Sequence, residues 1–239
     1  FLEMFWKGYN NKTKVIFISQ ITSATAIIFP VKEIVDKARS LGLITIIDGA
    51  HVPGHINLDI RSLNPDYYTG ALHKWLLAPK GSTFLYVKKE LQVDLDPLII
   101  SWGYGNSKTS RGQFLDYHEY NGTRDFSAYL TVPAQLKFRV NNNWDEKIKQ
   151  SKQQILEWYP KFCDLMGSKP LCPVTEDFLG QMFTVEINTD KPQELKEELF
   201  TRFKIEIPIT VFKDRYGIGL SIQPYTETSE ITFLYNNTL

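Results

Sequence analysis

Leu43-Ile44-Thr45-Ile46-Ile47-Asp48-Gly49-Ala50-His51 and, further along, Asp66-Tyr67-Tyr68-Thr69-Gly70-Ala71-Leu72-His73-Lys74-Trp75 are the two runs that decide the fold. The first is a short, β-branched apolar stretch that ends in a carboxylate and then an imidazole. After a polar crossover from Asn57 to Pro65, the second reads as a strand that runs into His73 and Lys74. A near-continuous apolar strand suits a parallel sheet covered on both faces, and ligands of such sheets sit at the carboxyl ends of the strands. One carboxylate, two imidazoles and one lysine amine are therefore expected to converge at one sheet edge.

The flanking sequence repeats the pattern. Phe1 to Gly8 reads as the tail of a helix, and Lys14 to Ile18 as a buried strand that ends in a hydroxyl-rich turn, Ser19 to Thr25, at the same edge. Pro30 opens a helix, with Val31, Ile34, Val35, Ala38 and Leu41 at helical spacing and Gly42 closing it. Strand, helix, strand is a right-handed βαβ unit. Beyond Lys74, Ala78 to Ser82 is a turn and Thr83 to Val87 a strand. Ile99 to Asp125 is rich in Gly, Ser, Asn and aromatics, with weak periodicity; a loop of that length has a binding or interface role.

A helix is expected from Ser127 to Val140. A second starts near Trp144, with Ile148, Ile155, Trp158 and Phe162 inward and a break or kink at Pro160. From Leu179 the pattern becomes strand (Met182–Ile187), helix (Pro192–Phe203), strand (Ile205–Ile209), strand (Ile218–Ile222) and a helix near Ser229. The expected division is an α/β portion, 1–140, and a small C-terminal α+β domain, 141–239.

The 239 residues suffice for one large domain or two small ones. The net charge of +0 gives no global field for nucleic acid or an anionic membrane. No apolar run approaches the roughly 20 residues of a membrane span. Two cysteines, Cys163 and Cys172, are too few for a disulfide framework, so a cytosolic, cytoplasmic setting is expected. Phe1 is not a natural start, and an upstream portion is expected.

A carboxylate and a lysine amine at one sheet edge suit pyridoxal 5'-phosphate, which needs a lysine for its Schiff base and a carboxylate at its pyridinium nitrogen. Four pieces stand in order: Ser19-Gln20-Ile21-Thr22-Ser23-Ala24-Thr25, Asp48-Gly49-Ala50-His51, Thr69 to Trp75, and Asn121-Gly122-Thr123-Arg124-Asp125. From about Phe5 to the C-terminus the chain resembles class V aminotransferase-type enzymes of fold type I, closest to the branch named after isopenicillin N epimerase. The resemblance implies a large domain with a mostly parallel sheet, incomplete at its N-terminus. Relatives carry the first strands, a phosphate-binding loop and a ring-stacking aromatic residue before the position of Phe1. A doubly wound sheet without them exposes a strand edge and a bare apolar face.

Each role stands beside a plainer one. The resemblance implies that Lys74 forms the Schiff base and then moves a proton at the substrate's α-carbon; a lysine after a strand otherwise snorkels at the surface. Asp48 would keep the pyridinium protonated, where an isolated aspartate would be a helix cap or turn residue. His51 would sit beside the ring near its hydroxyl. His51 and His55 at metal-ligand spacing raise a zinc reading, opposed by Pro53 and Gly54 between them. Ser23 would reach the ring hydroxyl with Gln20 nearby, unless both serve turn chemistry. His73, the Gly122 backbone and the Thr123 hydroxyl would bind the cofactor phosphate. Relatives supply the last two from the neighbouring subunit, which implies a homodimer with shared sites.

Two positions depart from the pattern. Ala71 stands where many relatives have a polar side chain. Gly219 stands where relatives have the arginine that clamps the substrate carboxylate, two residues before the serine of Ser221-Ile222-Gln223; Arg215 and Arg124 are the candidate substitutes. The expected function is pyridoxal-phosphate chemistry on an amino acid or related amine, through an external aldimine, of epimerase, lyase or aminotransferase type. Thr210 to Gly217 contains no cysteine, which disfavours desulfurase chemistry. The alternative is a truncated or degenerate non-catalytic paralogue that binds a partner.

Overall fold

A computed structural model describes residues 1–105 and 111–238. A short helix α1 (Leu2–Trp6) leads into β1 (Val15–Ser19), α2 (Val31–Ser40), β2 (Ile44–Asp48), α3 (Ile60–Leu63), β3 (Tyr67–Ala71) and β4 (Thr83–Val87). The four strands form one sheet in that order. β1–β2 and β2–β3 pair in parallel, and β4 returns antiparallel to β3. The βαβ unit is as the apolar periods predict, with Val31, Ile34, Val35 and Ala38 of α2 buried. Gly42 takes a positive φ of 65° just past the helix.

The sheet is covered on one face, not on two. Ile16, Ile47 and Tyr68 are buried among residues of α1, α2 and α3. On the opposite face Val15, Phe17, Ile44 and Leu85 are exposed, Phe17 at 69%. The strands therefore alternate between buried and open positions, although their sequence is largely apolar. The helices packed on this sheet among the described residues lie on one side, which leaves the other face bare. Asp48, even in number like Ile44 and Ile46, shares the open face with Ser19, its register partner.

The second half begins after α4 (Gln113–His118), a helix inside the stretch expected to be irregular; residues 106–110 of that stretch lie outside the described ones. The helix expected from Ser127 is split into α5 (Ser127–Leu130) and α6 (Val132–Asn141), because Pro133 cannot donate the bond that would join them. α7 (Trp144–Leu165) runs through Pro160 without a break. Then come β5 (Met182–Ile187), α8 (Pro192–Phe203), β6 (Ile209–Phe212), β7 (Arg215–Ser221) and α9 (Thr228–Asn237).

β5, β7 and β6 form an antiparallel sheet. The strand expected over Ile205–Ile209 is displaced to Ile209–Phe212. Pro208 has no N–H to continue a ladder, and the pair Phe212–Arg215 closes a two-residue turn in which Lys213 takes a φ of 56°. This sheet packs on α7 through Ile155, Tyr159, Phe162, Phe183 and Val185. The two halves meet where Met182 joins Ile21, Ala26, Ile28, Val52 and Trp75 in one cluster.

Candidate active site

The site is built at the carboxyl ends of β1, β2 and β3. Asp48 closes β2, and the ladder continues past it: Gln20 N–H donates to Asp48 O at 2.8 Å and Gly49 N–H to Thr69 O at 2.8 Å. Its carboxylate is held on both oxygens. Oδ1 accepts from Ala50 N–H at 2.9 Å and Oδ2 from the Ser19 hydroxyl at 3.2 Å. Tyr68 fills the space beneath. A Cβ on Gly49 would fall 2.1 Å from the Tyr68 hydroxyl, so this position has no room for a side chain. Burial, with the Asp48 charge adding to it, pushes the Tyr68 phenol up, and its hydroxyl donates to Gln20 Oε1 at 2.8 Å.

A tight loop then brings His51 to Lys74. Gly54 has φ +83°, and a Cβ there would lie 2.6 Å from both Leu76 N and Trp75 O. Only glycine lets the 51–55 loop rest on the backbone after Lys74. On the lysine side, Leu77 takes φ +65° and Ala78 N–H reaches back to Leu72 O at 2.9 Å. Arg139 of α6 crosses both segments, with Nη1 3.4 Å from Gly54 O and from Trp75 O, and Nη2 2.8 Å from Asp145.

The result is a compact polar group. Lys74 Nζ lies 3.0 Å from His51 Nε2, and the Trp75 indole N–H donates to His51 Nδ1 at 3.2 Å. Burial, then the Lys74 charge, lowers the His51 pKa to about 4, against an opposing contribution from Asp48. His51 is therefore neutral at pH 7. His55, 1% exposed, donates from Nδ1 to His51 O at 3.0 Å and accepts from Gln181 N–H. Its ring stacks on Trp75 at 4.0 Å, and burial lowers its pKa to about 3. Both its nitrogens are thus spent on structure. Among the described residues no group of three or more His, Cys, Asp and Glu is placed to hold a metal ion.

A cleft of about 400 Å³ opens on this group, lined by His51, Lys74, Trp75, Ser221, Gln223, Tyr225 and Thr226. The Ser-x-Gln stretch thus reaches the lysine from the second half, and Gln223 Oε1 is buried there without a partner among the described residues. A larger cavity of about 690 Å³ lies to one side, between the 203–208 segment, the end of β7 and α9. Gly219 lines it. A Cβ there would meet only Pro208 Cγ at 3.5 Å and Thr184 Oγ1 at 3.8 Å, so the position accepts a side chain.

The other candidates lie apart from the lysine. His73 donates from Nδ1 to Ser82 O at 3.3 Å. Ser23 is exposed in the turn after β1, and the Gln20 amide oxygen is engaged by Tyr68 on the helix-covered face. Gly122, at φ +109°, and Thr123 lie on the loop before α5 and do not line the cleft. The substitutes for a carboxylate clamp are engaged as well. Arg215 pairs with Glu186 at 2.6 Å, and Arg124 contacts Asn121 and lies over the Phe126 and Tyr129 rings. Cys172 packs against the second core, and burial pushes its thiol up to about 11. Trp75 and Arg139 carried no expected role. The adjacency of Trp75 to Lys74 was a signal for the first; nothing local marks the second, which acts across 64 residues of chain.

This sheet, with a lysine just beyond β3 and an aspartate at the end of β2, is the architecture of the fold type I pyridoxal-phosphate-dependent enzymes. Over 99% of its length the chain superposes, with a TM-score of 0.81 and 20% identity, on 63% of the cystine C-S lyase C-DES, solved with its product cysteine persulfide. A lysine-to-alanine variant of C-DES carries glycine covalently linked to its PLP cofactor. Residues 2–208 match the family Aminotransferase class-V, and the chain belongs to that family. It is 31% identical to isopenicillin N epimerase of Amycolatopsis lactamdurans over 92% of the chain, and 29% identical to a probable chloroplastic L-cysteine desulfhydrase of Arabidopsis thaliana over 96%. The chain spans 58% of the first relative and 49% of the second. Pyridoxal phosphate is the cofactor that goes with this family and fold. No helix among the described residues is long and apolar enough to cross a membrane.

Proposed function

We propose that this chain forms part of a pyridoxal-phosphate-dependent enzyme that acts on an amino acid or related amine. The observation that carries the reading is the meeting of the Lys74 amine with His51 beyond the end of β3, beside the anchored Asp48 carboxylate. The donor set fits the cofactor. The carboxylate sits on the open sheet face with its oxygens oriented by Ser19 and Ala50, and the amine faces a cleft of about 400 Å³.

Asp48 would meet the pyridinium nitrogen; an ion pair at ~4 Å is worth about 4 kcal/mol at an effective dielectric of 20, enough to hold that nitrogen protonated. Lys74 would hold the cofactor covalently and then carry a proton to or from the substrate carbon that bears the amine. When bound, the cofactor supplies an electron sink for the carbanion at that carbon. His51 stays uncharged beside the amine. His73, with Gly122 and Thr123 of a neighbouring subunit, would bind the phosphate in a homodimer, and the division near residue 140 would separate the cofactor-binding portion from the small domain.

Epimerase, lyase and aminotransferase chemistry all begin with loss of a proton or group at the same carbon, and the names of the relatives span the first two. No cysteine lies in the β6–β7 hairpin to take up sulfur, which counts against chemistry of the cysteine desulfurase type. Two unpaired cysteines accord with a cytosolic setting. A second reading, a non-catalytic binding protein, draws on Gly219, which brings no guanidinium to the cavity beside the cleft, and on the described lining of the cleft, which holds no arginine. Cofactor-loaded full-length protein separates the two. Visible absorbance that is lost in Lys74→Ala, and a borohydride-fixed pyridoxyl label on the Lys74 peptide, are expected. A label on Lys80, or none, would overturn the proposal.

A further inference from the structure

The cleft at Lys74 does not stand alone. Ser221, Tyr225 and Thr226 line it and also line the cavity of about 690 Å³ beside it, so the two spaces adjoin at one turn. That turn is held by its own bonds. Gln223 N–H donates to Thr226 Oγ1 at 3.1 Å and Thr226 N–H to Gln223 O at 2.8 Å, and the Glu227–Glu230 capping box starts α9 directly after it.

The wall beyond the turn is apolar. Phe203, Ile205, Pro208, Leu220, Phe233 and Leu234 line the cavity, and Phe233 is 49% exposed. The volume falls in the range of about 300–1,000 Å³ typical of small-molecule sites. The charged groups that line it leave an anion without a partner. Lys204 Nζ donates to Thr201 O at 3.2 Å and lies 5.7 Å from the centre of the Phe200 ring, while Glu206 and Glu230 are carboxylates. No arginine lines either space among the described residues, and a Cβ on Gly219 would meet nothing closer than Pro208 Cγ at 3.5 Å.

From this arrangement we infer that the cavity receives an uncharged, apolar substituent of the substrate, which passes Ser221, Tyr225 and Thr226 while the substrate's amine is held at Lys74. For the amine end this rests on the proposed function, and it narrows the substrate to an amine or amino acid that carries an alkyl or aryl group of several carbons. Such a group gains in proportion to the apolar area it buries against this wall. A carboxylate in the same place would lose its water beside Glu206 and Glu230 with no cation to receive it. The adjoining cleft makes the substrate itself the occupant, because whatever is held at Lys74 has the cavity next to it.

The test uses the full-length protein, with and without cofactor. In the loaded protein, dissociation constants for propylamine, butylamine, pentylamine and hexylamine are read from the change in visible absorbance. Affinity should rise roughly fourfold per methylene. The probe 6-aminohexanoate, with a carboxylate at the far end, should bind more weakly than hexylamine by about tenfold or more. In Gly219→Leu, whose side chain fills part of the cavity, the rise should flatten while propylamine binds as before. Without cofactor, hexylamine should shift the ¹³C-methyl NMR signal of Ile205, assigned by its loss in Ile205→Val, and leave that of Ile34 in the other core unmoved. Failure of the proposed function would show as missing absorbance in the loaded protein, and the cofactor-free measurement would still decide this inference. A flat series in the native protein would overturn it, as would tight binding of 6-aminohexanoate or a rise that persists in a folded Gly219→Leu. So would an unmoved Ile205 methyl, the result expected if upstream chain or a second copy fills the cavity.

Discussion

Gly54→Ala tests the close approach that brings His51 to Lys74. The added methyl would lie 2.6 Å from Leu76 N and Trp75 O, both backbone atoms, and the residue would have to hold φ +83°. A non-glycine residue in left-handed space costs roughly 1–2 kcal/mol, and overpacking a filled site about 1–3 kcal/mol more. The sum, about 2–5 kcal/mol, is a large share of the roughly 5–15 kcal/mol by which domains are stable. Gly42→Ala supplies the control, because Gly42 has φ +65° but nothing within 4 Å of its Cβ. It should show only the conformational part. Urea unfolding followed by circular dichroism, with equal slopes in the two variants, gives the difference directly. Relief of the clash by moving the 51–55 loop would also separate His51 from Lys74 and weaken cofactor loading. A Gly54→Ala protein within ~0.5 kcal/mol of Gly42→Ala, with normal loading, would show that the loop does not depend on this contact.

Asp48→Asn should keep the cofactor bound yet slow proton removal from the substrate by orders of magnitude, because a neutral amide does not hold the ring nitrogen protonated; near-normal turnover would remove Asp48 from the mechanism. His55 has its pKa lowered to about 3, so the unfolded chain binds more protons below an ordinary value of 6.5. Its contribution to stability is complete above pH 6.5 and is lost as pH falls from there toward 3. Between pH 6.5 and 5 the loss should be ~2 kcal/mol at about 1.36 kcal/mol per unit, and His55→Gln, less stable at pH 7, should show a flatter profile in the same denaturation series. Gly219→Arg should fold with little loss of stability, since the position opens on a cavity, and should improve turnover of α-amino acids. Arg215→Ala should leave their KM unchanged, because Arg215 is paired with Glu186. Full native activity indifferent to the new arginine would place the carboxylate site elsewhere.

The parts of the site legible in the sequence are those set by strand ends. Asp48 ends a β-branched apolar run and Lys74 follows the short aromatic run Tyr67–Ala71; a side chain at or just beyond the end of such a strand lies at the sheet's carboxyl edge wherever the rest of the chain goes. The same local rules placed α2, β4, β5 and α8. They failed at Ile205–Ile209, where the apolar pattern is right but Pro208 and the Lys213 turn decide which residues find a ladder partner.

The sequence by itself determined the βαβ frame, the carboxylate and amine at its edge, and through four ordered motifs the family. Which atoms meet was decided by tertiary structure. Gln20 stands beside Ser19 in sequence, yet strand alternation sends it to the covered face and Tyr68, while Ser19 turns to Asp48. His55 resembles a metal ligand in one dimension and becomes a bridge to Gln181, a residue 126 positions away. Trp75 reaches His51 across a place where Gly54 lets two backbones touch. Periodicity records which face a residue turns toward, whereas hydrogen bonds between distant segments depend on approaches of a few ångströms that no local pattern encodes.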